Sequence, residues 1–528
     1  MRRRRALAGA LLVALAAGPA APGLLDGSMT PEEELEQGFE FDRELLGVLP
    51  VVDDPVVLGF VHELGGALVE RLGEPEPVYH FRVIRDPSLN AFAIPGGYIY
   101  LHSGTVLAAG GVDELAGVLA HEIGHVKGRH VARLQEKTSF ARILSTLAGI
   151  AASAAVGDAG PMVVSQGINV ALQLRFSREF EAEADEMAVI LMRRTGFDPA
   201  GLRRFFQRIV IERDRGGETL PPYLYSHPEV ESRIARVEEL ARRVPPAAER
   251  PLDFDAGFVR ARDRLAALVA LGRSEWPVAP AFDRERGDAA LREAEALARA
   301  GRTEEAAARL EAALAELPGD PRLPFRLAEL RAAAGRRAEA IRLLERAVSL
   351  DPTRALPHFR LAELHAGQGD RQRATFHLEQ ALRRFRGTGG IRARAERMLL
   401  RLTFPVVREH GVVPTAPGGE AELLVGRSAS SVPAGTRALL WWGALHRRFA
   451  PQRSLVEVRL LDGQGRPLAR APAETGPDGW LLARLELPED AALAPGPATV
   501  EVRVESDPVA QIPLRVVAGS TDDGVPAD

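Results

Sequence analysis

The chain has 528 residues, 46% hydrophobic and 26% charged, with a formal net charge of −5. That length exceeds one ordinary core and predicts several domains, and the weak negative charge without a basic stripe excludes a nucleic-acid partner. There is no cysteine, which removes disulfides, thiolate metal sites and cysteine nucleophiles together, so any metal must be held by histidine and carboxylate.

The chain opens "MRRRRALAGALLVALAAGPAAPG": four arginines, an apolar run, then small residues. This is the layout of a secretory signal peptide, assigned to residues 1–24. At roughly 13 residues the apolar run is short for a membrane span of about 20, which favours cleavage over anchoring. The mature protein is expected to be exported.

Residues 28–250 form the next region. "HFRVIRDPSLNAFAIPGGYIYLHSG", His80 to Gly104, alternates apolar residues around a Pro-Gly-Gly and predicts short strands about a bend. Directly after it, "LAGVLAHEIGHVKGRHVARL" (Leu115 to Leu134) reads as a helix, with Asp113 and Glu114 placed for its N-terminal dipole and Leu115, Val118 and Leu119 forming an apolar face. His121 and His125, four apart, point at one ion from the same face, and Glu122, about 100° round the helix, reaches a water on that ion. This is zincin geometry. "HELGG" at His62 is a near miss, with Gly66 where the second histidine is required.

Zinc needs a third protein ligand. His130 misses the metzincin position by one, because that pattern would place its third histidine at Val131, so His130 reads as a supporting or surface residue. A later helix, "RFSREFEAEADEMAVILMRRTGFDP", offers carboxylates instead: Glu181 and Asp185 share a face, while Glu183 points roughly the other way. Glu181 would complete the site, and Asp185 would hydrogen-bond a ligand histidine and fix its tautomer. Between the two helices, residues 143–174 are apolar but below spanning length, and are expected as a buried helical hairpin with peripheral membrane contact as the alternative.

Residues 251–280 are expected as a helical linker. From 281 to 402 the chain repeats with a period of 34: Leu291, Phe325 and Phe359; Ala294, Ala328 and Ala362; Gly301, Gly335 and Gly369; Ala306, Ala340 and Ala374; Leu310, Leu344 and Leu378; Ala313, Ala347 and Ala381. This is the period of the tetratricopeptide repeat, a solenoid of helix pairs. Pro318 and Pro352 end the second helix of two repeats, whereas Arg386 takes the third such position and marks an atypical last repeat. Residues 404–520 turn to short alternating or β-branched runs such as "RALLWWGAL" and "ATVEVRVES" separated by Gly, Pro and Asp, which predict a β-sandwich. Residues 521–528 form a tail.

The fold class is therefore multidomain: a mainly α zincin domain of the gluzincin kind with a small sheet, a helical repeat solenoid and a β-sandwich. H-E-x-x-H followed about 60 residues later by E-x-x-x-D within "SREFEAEAD" resembles the zinc metallopeptidase family that includes the CaaX prenyl proteases and the bacterial HtpX proteins. "NAFAIPGGYIYLHSG" before the helix and "GFDP" after the acidic one extend the likeness. The signal and repeats are most similar to the family's periplasmic β-barrel assembly-enhancing type. The resemblance implies His121, His125 and Glu181 as ligands of one zinc per chain and Glu122 as base. It further implies that His227, in "YSHPEVESRIARV", approaches the zinc as a fourth ligand that latches the resting enzyme, and that Arg233 lies near the active site.

Two functions follow as expectations. One is an exported zinc metalloendopeptidase that hydrolyses misfolded or misassembled envelope proteins, its repeats recruiting protein clients. In it Arg233, or else Tyr98 or Tyr225, would stabilise the oxyanion, and the strand Ala91, Phe92, Ala93, Ile94 would pair with extended substrate. The other is a chaperone or adaptor scaffold with an idle protease domain. The C-terminal β-sandwich is not part of the β-barrel assembly-enhancing pattern, so the substrate and partner that the resemblance implies need not transfer.

Overall fold

A computed structural model describes residues 29–73, 77–134, 176–215, 221–245, 253–273, 282–385, 389–415, 428–446, 448–449, 455–475, 480–488, 491–504 and 507–517. The expected signal peptide (1–24), the apolar segment 143–174, Arg386 and the tail 521–528 lie outside these residues. The chain divides into two compact units, Met1–Pro277 and Val278–Asp528. Among the described residues no helix is long and apolar enough to cross a membrane.

The first unit begins with α1 (Pro31–Val48), closed by a capping box in which Thr30 accepts from the Glu33 amide and Glu33 from the Thr30 amide. Helix α2 (Pro55–Val69) is capped by Asp54, which accepts from Val56 and Val57. A three-stranded sheet follows, β1 (His80–Ile84), β2 (Ala91–Ile94) and β3 (Tyr98–His102), in the order β1-β3-β2. β3 pairs parallel to β1 and antiparallel to β2 across the Pro95–Gly97 bend. Then come α3 (Ser103–Ala108), α4 (Val112–Lys127), α5 (His130–Leu134), α6 (Arg178–Thr195), α7 (Ala200–Arg215), the one-turn α8 (Tyr223–Ser226), α9 (Val230–Arg243) and α10 (Phe254–Ala270).

Helix α4 is the centre of this unit. Its sequence shows one apolar face, yet every residue from Glu114 to His125 is buried, because α2, β2, α6 and α7 enclose it. Small residues set how closely the helices approach. A Cβ on Gly124 would stand 2.9 Å from the Ala184 Cα of α6, a separation that real Cβ contacts do not tolerate. Glu114, buried in the first turn of α4, accepts from Arg208 of α7 at 2.6 Å and ties these helices together.

The segment 251–280, expected as a helical linker, contains helix α10. Helix α10 buries Phe254, Phe258, Ala261, Leu265 and Leu268 and packs on α2 and α3, with Phe258 against Phe60 at 6.1 Å. Arg264 reaches the α2 cap Asp54 at 2.9 Å. An amphipathic stripe with spacings of four and three residues is a docking face, so the first unit extends to Pro277.

In the second unit three helix pairs stack: α11 (Arg284–Arg299) with α12 (Thr303–Glu316), α13 (Arg322–Ala333) with α14 (Arg337–Leu350), and α15 (Ala355–Ala366) with α16 (Arg371–Arg384), followed by α17 (Gly390–Thr403). The 34-residue columns are structural. Gly301, Gly335 and Gly369 take φ of 77°, 77° and 79° at the turn within each pair, a conformation that only glycine adopts without strain. The repeated alanines at 294, 328, 362, 306, 340 and 374 are all buried where helices touch. Two sheets follow. One has four strands in the order β4-β6-β10-β9, namely Val407–Thr415, Ala438–Leu445, Leu481–Glu486 and Glu474–Thr475. The other has five, β5-β12-β11-β7-β8: Ser431–Pro433, Asp507–Val517, Gly496–Val504, Val456–Asp462 and Pro467–Pro472. Trp441 of β6 is fully buried.

Candidate metal centre

Helical periodicity places His121 and His125 one turn apart on α4, and both rings are fully buried. Their Nε2 atoms lie 3.0 Å apart. Helix α6, held against α4 at Gly124 and Ala184, brings Glu181 to 3.6 Å from His121 Nε2 and 3.5 Å from His125 Nε2. His227 follows the one-turn α8 and enters from a different direction. Its Nδ1 lies 3.3 Å from His121 Nε2 and 3.0 Å from Glu181 Oε1. One donor atom from each of His121, His125, Glu181 and His227 lies within 4.8 Å of all the others, and all four residues are buried.

Other groups orient these donors. Asp185, one turn beyond Glu181 on α6, sits 3.1 Å from His121 Nδ1. If Nδ1 carries the proton and donates to that carboxylate, the Nε2 lone pair faces the centre. His125 is held by His130, whose Nδ1 lies 2.9 Å from His125 Nδ1 and whose Nε2 lies 3.0 Å from Glu183. Arg133 anchors Glu183 at 2.8 Å. His130 is thus a buried support of a neighbouring histidine, and Glu183, facing away from the centre, ends the same chain of contacts.

Arg233 of α9 is buried among the carboxylates. Its Nε and Nη2 donate to Asp185 at 2.9 and 2.7 Å, and Nη1 lies 2.5 Å from Glu181 Oε2 as an ion pair without hydrogen-bond alignment. Burial alone would raise the Glu181 pKa, but the Arg233 charge, with His227 and His125, holds it well below the usual range. Asp185 is lowered by the same balance against burial. Burial and the Arg233 charge bring His121 down to about 4, and burial likewise takes His125 well below its usual value, so both imidazoles are neutral ligand donors. Glu122 differs. Neither carboxylate oxygen has a hydrogen-bond partner among the described residues, and burial pushes its pKa up to about 7, with Glu181 adding to the rise and His227 and Arg233 opposing it.

The donor set fits a divalent cation. The nitrogens of three imidazoles converge at 3.0 and 3.3 Å, and a carboxylate beside them adds negative charge. Two or three histidines with one carboxylate is the usual zinc donor chemistry, and Ca2+ or Mg2+ would demand oxygen ligands instead.

The remaining sequence-predicted residues fall elsewhere. Tyr98 belongs to a core cluster with Phe41, Leu45 and Phe92, and Tyr225 is 40% exposed. Ala91–Ile94 forms an edge of the sheet, with all four residues buried and α4 packed nearby. Two aromatic residues at the site were missed. Phe176 stacks on His125 at 4.0 Å, and Tyr223, fully buried, stacks on His227 at 4.4 Å and 21°. The available signal was Tyr223's position four residues before His227, an α-helical spacing in a stretch that reads as a loop.

Residues 59–241 match the model of peptidase family M48, and residues 297–341 and 331–395 match that of the tetratricopeptide repeat. A putative beta-barrel assembly-enhancing protease of Vibrio cholerae is 36% identical over 262 residues, 48% of this chain and 54% of that protein. The beta-barrel assembly-enhancing protease of Escherichia coli is 28% identical over 291 residues, 52% of this chain and 59% of that protein. The mitochondrial metalloendopeptidase OMA1 of Schizosaccharomyces pombe is 35% identical over 161 residues, 30% of this chain and 46% of that protein. The chain thus carries an M48 peptidase domain followed by tetratricopeptide repeats, and it spans about half the length of the curated relatives it matches.

Proposed function

We propose that this chain is an exported zinc metalloendopeptidase that hydrolyses peptide bonds of misfolded or misassembled envelope proteins, its repeats recruiting those clients. The observation that carries the reading is the convergence of His121, His125, Glu181 and His227 within 4.8 Å beside a buried carboxylate, Glu122, that has no hydrogen-bond partner among the described residues. The M48 match over the same residues supports it, and the similarity to beta-barrel assembly-enhancing proteases points to proteins in assembly as clients. We read the domain as a gluzincin-like zincin and the two C-terminal sheets as a β-sandwich.

His121, His125 and Glu181 would hold the zinc, one per chain. When bound, zinc lowers the pKa of a water molecule and polarises the substrate carbonyl. Glu122 takes the proton of the attacking water and returns it to the leaving amine. With neither oxygen engaged by a hydrogen bond among the described residues, the carboxylate is available for both transfers. Asp185 fixes the His121 tautomer, and Arg233 keeps Glu181 and Asp185 ionised. His227 takes the position that water or substrate requires and so restrains the resting enzyme. The edge strand Ala91–Ile94 is the proposed place for extended substrate backbone, which requires that its buried edge be uncovered when substrate arrives.

Purified full-length protein tests this. Stoichiometric zinc, with casein hydrolysis that disappears in Glu122→Gln and rises in His227→Ala, is the expected result. Absence of zinc and of hydrolysis from both the parent and His227→Ala would refute the enzyme. Equal activity in those two proteins would remove the latch alone.

A further inference from the structure

The oxyanion donor expected from sequence was Arg233, with Tyr98 and Tyr225 behind it. Each nitrogen of the Arg233 guanidinium already faces a carboxylate: Nε and Nη2 bond Asp185, and Nη1 pairs with Glu181. Turning it toward substrate would leave two buried carboxylates without their counter-charge, a costly exchange. Tyr98 sits in another cluster and Tyr225 points to solvent.

Tyr223 has the properties those three lack. It is fully buried, and its hydroxyl has no hydrogen-bond partner among the described residues. A buried donor left unpaired is exceptional and calls for a partner. The His227 ring that Tyr223 covers lies 3.0 Å from Glu181 and 3.7 Å from Glu122, which places the tyrosine beside the centre. Its ring lies face to face with His227, 4.4 Å away, and of the four converging donor residues His227 alone lies outside a helix. Phe205 meets the Tyr223 ring edge-on at 5.5 Å and Phe206 lies at 6.5 Å, so α7 holds the tyrosine by contacts that do not involve His227, the group that must withdraw in the latch reading above. Whatever replaces the His227 ring at the centre then lies beside Tyr223.

We propose that Tyr223 is a catalytic residue whose hydroxyl donates a hydrogen bond to the substrate carbonyl oxygen as negative charge develops on it. This rests on the peptidase reading above. The tyrosine keeps its proton throughout, so Glu122 remains the only proton carrier. A neutral donor also adds no further charge to a pocket that already balances Arg233 against three carboxylates.

The test is Tyr223→Phe, which keeps the ring and its stacking and deletes only the hydroxyl, made in both the full-length parent and the His227→Ala protein. Casein hydrolysis should lose about 100-fold in kcat in both backgrounds, the usual scale for one oxyanion donor, with KM little changed. Zinc content and melting temperature should be unaltered. Affinity of the zinc-loaded His227→Ala protein for a peptide phosphonate, whose charged tetrahedral oxygen mimics the oxyanion, should fall at least about tenfold by calorimetry when the hydroxyl is removed. A kcat within twofold of the matching background overturns the proposal, as does a fall in zinc content, which would make Tyr223 a structural support. If neither background shows hydrolysis dependent on Glu122, the peptidase reading fails and this role fails with it.

Discussion

Among the described residues, histidine nitrogens meet at two places, and only one of them is built for a cation. In the third repeat His358 Nδ1 lies 3.1 Å from His377 Nδ1, a separation like those at the M48 centre, and His365 stacks on His377 at 5.6 Å and 7°. Yet burial and the Arg384 charge bring His358 down to about 3, and Asp370, 3.8 Å from His365 Nδ1, is itself paired with Arg373. Among the described residues, the His121, His125, Glu181 and His227 group alone brings three or more ligating atoms together. There Glu122, Glu181 and Asp185 oppose the single charge of Arg233, so three carboxylates and one guanidinium leave an excess of negative charge. Converging imidazoles supply lone pairs, but buried carboxylates supply the charge that compensates the loss of a dication's hydration.

That contrast is broken most directly at Glu181. Glu181→Gln keeps shape and removes charge, so zinc retained after dialysis should fall to a small fraction of one per chain and hydrolysis to the Glu122→Gln background. Full zinc occupancy in this variant would show that imidazoles suffice. A smaller effect separates charge from ligation at Glu122. In metal-free protein its pKa is raised from 4.5 to about 7, so the folded state holds the proton more tightly than the unfolded chain. Its stability is therefore full below about pH 4.5 and declines as pH rises to about 7, by about 3 kcal/mol at most. Glu122→Gln carries no such penalty. In EDTA it should melt above the parent at pH 8 and with it at pH 4.5, and the same gap at both pH values would contradict this origin. The smallest effect is expected at the other cluster. His377→Ala should leave zinc at one per chain and hydrolysis unchanged, at a stability cost of about 1 kcal/mol by urea unfolding. A second zinc lost from this variant would erase the distinction.

Much of this was legible before any coordinates. Spacing alone put His121 and His125 on one face with Glu122 beside them, and Glu181 with Asp185 on one face of α6, because helical geometry is local. The 34-residue columns reported which alanines touch and which glycines turn, since each repeat packs only on its neighbours. What failed to show depends on tertiary packing. Helix α10 carries a readable stripe from Phe254 to Leu268, but nothing in the sequence says that its face docks on α2. Arg233 is expected near the active site from the resemblance, and only three-dimensional contacts reveal that its donors are committed to Asp185 and Glu181. His130 was assigned no firm role because its partner His125 lies five residues back, across the break between α4 and α5. Tyr223 escaped notice because a single helical turn leaves no periodicity to read.

The close passage of α4 over α6 at Gly124 and Ala184 has a consequence for tolerance to mutation. With backbones this near, the gap between the two histidines and Glu181 is a property of main chain, and rotamer changes at the ligands have little room to correct it. An added methyl at position 124, three residues from His121 and adjacent to His125, would part the helices and draw Glu181 from the histidines without replacing any ligand residue. A saturation screen of the domain should therefore find a class of folded but inactive variants at residues that carry no functional group at all.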